Sequence, residues 1–137
     1  MRPRVLAVAF AATLGPPTAS ASEPEPLALE LRNDGARALR CVMVKAHFMS
    51  ETLGTIAGGG RLAFALQRDP ADGSLFVLAH DGRRQMIENI LCGADDDWAN
   101  TRGELPLLPL RRSAATAAEL RCAADGRLDC SVKEADD

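Results

Sequence analysis

Three groups of side chains in this sequence have the types and spacing that chemistry requires. The first is the set of four cysteines, Cys41, Cys92, Cys122 and Cys130. An even count with no C-x-x-C pair, in a chain with only two histidines, reads as two disulfides rather than a zinc site. The second is His47 with Met49 and Met86, and with Met43 close by. Thioether and imidazole donors suit copper. The plainer reading is that methionines fill gaps in a core and the histidine ends a strand. The expectation is therefore no metal and no cofactor, with copper as the alternative. The third is the run Asp95, Asp96, Asp97 followed by Trp98. It lacks the central glycine and the terminal glutamate of a calcium-binding EF-hand loop. Acidic groups beside an aromatic ring can instead steer a basic protein partner and anchor on the ring. The rival is a ring packed under the domain.

Catalytic motifs are missing. The chain has no G-x-S-x-G elbow and no H-E-x-x-H pair, and Gly58-Gly59-Gly60 is not followed by the Lys-Ser/Thr of a phosphate loop. A non-enzymatic protein is expected. The basic residues are scattered arginines with few lysines, so nucleic-acid binding is not expected, because phosphate neutralisation needs clustered cations.

These groups need elements to position them. Leu27, Leu29 and Leu31 alternate with the period of a half-buried strand. Further strands are expected at residues 39–48, 61–67, 75–78 and 85–92, with turns at Asn33-Asp34-Gly35, Asp72-Gly73 and Asp81-Gly82. Residues 50–60 and 94–103 read as loops. The Pro-spaced segment 105–110 reads as an edge strand, and the Ala-rich segment 113–120 as one short helix. The result is an all-β fold, a small antiparallel sandwich or open barrel with two disulfides and at most one short helix.

Register constrains the disulfides. Pairing residues 39–48 antiparallel to 85–92 with Cys41 opposite Cys92 sets Met43 against Ile90, Lys45 against Glu88 and His47 against Met86. Val42 and Ala46 then lie on the other face, which receives most of the apolar side chains. A bridge between two facing sheets is the alternative, and it would push Lys45 toward a core. Cys122 and Cys130 flank Asp125-Gly126-Arg127, a three-residue hairpin loop that sets the two cysteines opposite each other, with positive φ expected at Gly126 or its neighbour.

The N-terminus addresses the compartment. A basic start with Arg2 and Arg4, an apolar run over residues 5–14, the helix-breaking Gly15-Pro16-Pro17, and Ala19-Ser20-Ala21 follow in the order of a secretory signal peptide. The run is too short to span a bilayer, which takes about 20 apolar residues. Cleavage after Ala21 would remove two arginines and no acid, making the net charge of −3 more negative still. The expected domain plan is a signal peptide at 1–21, a flexible lead at 22–26, one β-rich domain at 27–132 and a frayed tail at 133–137. Arginine-rich, lysine-poor usage favours a bacterial periplasm. The expected product is an exported binding or accessory domain acting on a periplasmic protein, without membrane insertion. A small secreted hydrolase inhibitor shares the size and cysteine count.

Overall fold

The computed structural model describes residues 9, 11–16 and 23–135. The expected signal peptide and its cleavage site fall mostly outside them. Nine strands occur among the described residues, β1 (Glu25–Asn33), β2 (Leu39–Lys45), β3 (Met49–Ile56), β4 (Arg61–Arg68), β5 (Leu75–Leu78), β6 (Arg84–Ala94), β7 (Gly103–Glu104), β8 (Ala117–Ala123) and β9 (Asp129–Glu134). Two short helices, α1 (Trp98–Thr101) and α2 (Leu107–Arg112), lie between β6 and β8. The fold is all-β, and its two disulfides join Cys41 to Cys92 and Cys122 to Cys130.

The strands form one hydrogen-bonded path, β3-β2-β6-β5-β4-β1-β8-β9, with β7 alongside β6. β6 is long enough to serve two walls. Its first residues pair with β5, and its remainder pairs with β2 and β7. The β1–β8 pair is parallel and every other pair is antiparallel. Leu27, Leu29 and Leu31 of β1 meet Leu39, Cys41 and Met43 of β2 in one core with Ile87, Ile90, Cys92, Ala118, Leu120 and Cys122. Alternation on each strand delivers one face to that core.

Three segments differ from the sequence expectation. Residues 49–56 form β3 rather than a loop. Its Ser50, Glu51 and Thr52 are exposed because it is an edge strand, and the polarity of an edge hides the strand signal. Segment 105–110 enters helix α2 instead of an edge strand. Pro109 sits in the first turn, where no intrahelical N–H bond is required, and Leu107 and Leu110 share the buried face. Segment 113–120 forms no helix and passes into β8, where Ala118, Leu120 and Cys122 alternate inward. Small alanines suit the close parallel packing on β1.

The Cys41–Cys92 register holds from Leu39↔Ala94 to Val44↔Asn89 and then breaks. A bulge drops Glu88, so Lys45 lies opposite Ile87 rather than Glu88, and the Ala46 amide donates to the Met86 carbonyl at 2.9 Å. The buried face is also the opposite of the expected one. Cys41, Met43 and Lys45 point inward, while Val42 and Val44 are half-buried on the outer face. The bridge is therefore cross-strand, with Cα atoms 4.2 Å apart, and it still turns Lys45 toward the core. The Cys122↔Cys130 register is as expected, although Gly126 does not adopt positive φ.

Buried polar groups tie the walls together. Arg68, almost wholly buried, donates to the carbonyls of Leu110 (3.0 Å) and Ala115 (2.7 Å) and to Glu25 Oε2 (3.2 Å). It thereby fixes α2 and the start of β1 to the end of β4. Asn33 Nδ2 donates to the carbonyls of Arg37 (2.7 Å) and Ile56 (3.0 Å), and its Oδ1 accepts from the Gly35 amide. No helix among the described residues is long and apolar enough to cross a membrane.

Candidate binding site at the open end of the sheet

β2 and β3 are joined by the turn Ala46-His47-Phe48, in which His47 (φ 64°) and Phe48 (φ 61°) are both left-handed. Left-handed backbone costs a non-glycine residue about 1–2 kcal/mol, and a bulky residue there is a true outlier. The Phe48 ring is fully exposed at this tip. Leu78, Met49 and Met86 are the next apolar side chains left open to solvent nearby. Packing gains nothing from this arrangement.

Two hollows open beside the tip. The larger, about 530 Å³, is lined by Met43 and Lys45 of β2, Glu51 and Leu53 of β3, Phe64 and Ala65 of β4, Val77 and Leu78 of β5, then Ala79, His80 and Gln85. Lys45 is the buried cation at its wall. Its Nζ donates to Glu51 Oε2 and to Gln85 Oε1 (3.0 Å). An ammonium has three N–H donors, so one remains for an incoming acceptor. Burial of a charge needs such partners. Leu53 reaches the cleft because it is the extra residue of a second bulge: Cys41 lies opposite Gly54 and Val42 opposite Thr52. Bulges re-aim side chains in this way.

The smaller hollow, about 210 Å³, shares Ala79 and Gln85 with the first and brings His47, Met49 and Met86 to one wall. Met43 is apart from them in the core. Arg83 and Arg84 line the same hollow, and their charge opposes a bound cation. Among the described residues no group of three or more His, Cys, Asp or Glu could hold a metal ion.

The acidic run lies elsewhere, after β6. Asp96 accepts from Arg37 at 2.8 Å, Asp97 is 3.9 Å from the same guanidinium, and Asp95 is 3.8 Å from Arg40. Arg40 also lies over the Trp98 ring, 4.6 Å from its centroid. Thr101 Oγ1 donates to the Asp97 carbonyl and accepts from the Ala94 amide. The run therefore faces arginines of its own chain, and the half-buried ring sits under one of them. Sequence reasoning missed Lys45, Phe48, Leu53, Phe64 and Val77 as a group. The one available signal was an aromatic, Phe48, closing the expected strand 39–48 just before a polar segment.

No protein-family model, no curated protein and no solved structure matches this chain.

Proposed function

We propose that this chain is an exported, non-enzymatic domain that binds a protein partner in the periplasm through the open end of its sheet. The carrying observation is Phe48, a fully exposed ring held on a strained turn whose hollow exposes Met49 and Met86. Backbone strain that contributes nothing to packing concentrates at functional sites. Exposed aromatic anchors flanked by apolar side chains are what hot spots are made of. The ion pairs around this end, Lys45–Glu51, Arg84–Asp69 and Arg83–Asp81, are closed within the chain, so the partner surface expected here is apolar rather than charged. Two disulfides fit an oxidising compartment. The signal-peptide pattern with cleavage near Ala21 supports export.

The Asp95–Trp98 loop is the competing surface. Its charges already face Arg37 and Arg40, which leaves less field to steer a basic partner. Photo-crosslinking in the exporting cell separates the two. A photoreactive residue at position 48 should give one discrete adduct, and one at position 98 none. Adducts from 98 alone would return the function to the acidic loop.

A further inference from the structure

The two edges that face each other across the larger cleft are both unpaired. β3 pairs with β2 on one side and, among the described residues, with nothing on the other. β4 pairs with β1 along its whole length, but β5 takes only Gln67 and Arg68. Residues 61–66 therefore keep a free edge on the side toward β3. Near the glycine turn the strands touch, since a Cβ at Gly54 would lie 3.6 Å from the Leu62 side chain. Farther along, Glu51 and Leu53 on one strand and Phe64 and Ala65 on the other stand on opposite walls of the cleft. The inner face is unfinished there. Leu53, Leu62, Phe64 and Val77 pack against the core yet remain only partly buried.

We propose that this seam receives an extended, uncharged, apolar segment of the partner protein, which adds as a strand between β3 and β4. The proposal rests on the binding reading above and names how the partner is held. Three features select this occupant. Unpaired amides and carbonyls on two facing edges are satisfied together by extended backbone, which is the basis of recognition by strand addition. Half-buried Leu53, Phe64 and Val77 offer apolar contacts to the alternate side chains of such a strand. Electrostatics complement a neutral guest. The Lys45 charge is balanced by Glu51, and what is left over is one N–H donor for a carbonyl. The inward-turned Lys45, paired with the exposed Glu51, also deters indiscriminate edge pairing, a common device on free edges. They narrow the choice of guest and do not close the seam.

The test is a displayed library of random heptapeptides selected on the exported chain, with Leu53→Glu as the control surface. Enriched peptides should alternate apolar and β-branched residues, lack proline and carry no net charge. A synthetic peptide from that set should slow amide exchange across residues 49–53 and 63–66, the stretch beyond the Gly54–Leu62 contact, at least tenfold. N-methylation of its alternate amides should weaken binding at least tenfold. Peptides that protect only the turns at 46–48 and 79–83 would overturn the seam while leaving the open end as the binding surface. So would a selection that recovers nothing beyond the Leu53→Glu control while crosslinking from position 48 still succeeds. Exchange in residues 49–53 and 63–66 already as slow as in β2, without peptide, would show that the edges are not free and would also overturn it. Where Leu53→Glu fails to fold, Ala65→Glu on the exposed side of the opposite strand serves as the control.

Discussion

The two ends of this sheet are built by opposite rules. At the closed end the β1–β2 turn, the end of β3, the glycine turn before β4 and the end of β8 are stitched together. Asn33 reaches Arg37 and Ile56, the Gly59 amide donates to the Asn33 carbonyl, and the Asp34 amide donates to the Cys122 carbonyl at 2.8 Å. A Cβ at Gly58 would sit 2.6 Å from the Ala36 carbonyl oxygen, so only glycine lets those turns touch. Asp34 pairs with Arg121, and Asp96 with Arg37. At the open end the turn is strained, Phe48 is bare and two strand edges go unpaired. A chain that can satisfy one end so fully has left the other unsatisfied, and stability does not require that difference. It points to use.

Removing the bridges should give the largest effect. Cys41 and Cys92 are 51 residues apart, and Cys122 and Cys130 are 8 apart. Loop-closure entropy assigns about 4 kcal/mol to the longer loop and about 2.5 kcal/mol to the shorter. Urea unfolding of Cys41→Ala/Cys92→Ala and Cys122→Ala/Cys130→Ala should show that order. Equal losses would mean that residual structure in the unfolded chain, rather than closure length, sets their worth.

Why the closed end was easier to read from the sequence than the open end follows from the same contrast. The Cys41–Cys92 register as far as Val44↔Asn89, the Leu27–Leu31 alternation and the Cys122–Cys130 hairpin are set by period and spacing, and the structure reproduces them. β3 was hidden because an edge strand buries few side chains, so Ser50, Glu51 and Thr52 show no apolar period. The inward face of β2 runs against its apolar pattern because Lys45 is inside, and its partner Glu51 lies on the polar edge strand β3. The bulge that skips Glu88 removed the attractive Lys45–Glu88 pair, and bulges leave no mark in composition. The candidate site is made of these irregular features, which is why it was the part least legible.

An intermediate effect is expected at Asn33. Asn33→Ala would strand the buried Ile56 carbonyl, the part-buried Arg37 carbonyl and the Gly35 amide, a loss of about 3 kcal/mol and about 10 °C in Tm. The melting curve should stay a single transition, because the turns it joins belong to the same core. A split into two transitions would mean that the two walls fold separately and that the closed end is a hinge rather than a clamp.

The smallest effect on stability should come from the residue with the largest part in binding. Phe48→Gly removes a side chain that touches nothing and relieves a left-handed φ that costs about 1–2 kcal/mol. Glycine returns roughly 0.5–1 kcal/mol of that through the greater freedom of the unfolded chain. The net change should lie between zero and a gain of about 1.5 kcal/mol. Partner affinity should fall about thirtyfold, the loss that goes with deleting an anchor worth about 2 kcal/mol. Capture yield of the partner identified by crosslinking, read beside the melting midpoint, puts both numbers on one variant. A protein kept at the edge of strain for a partner should become more stable and less useful together. If Phe48→Gly instead melts many degrees lower, the ring packs somewhere in the folded protein, the strain is compensated within the fold, and the contrast between the two ends loses its functional meaning.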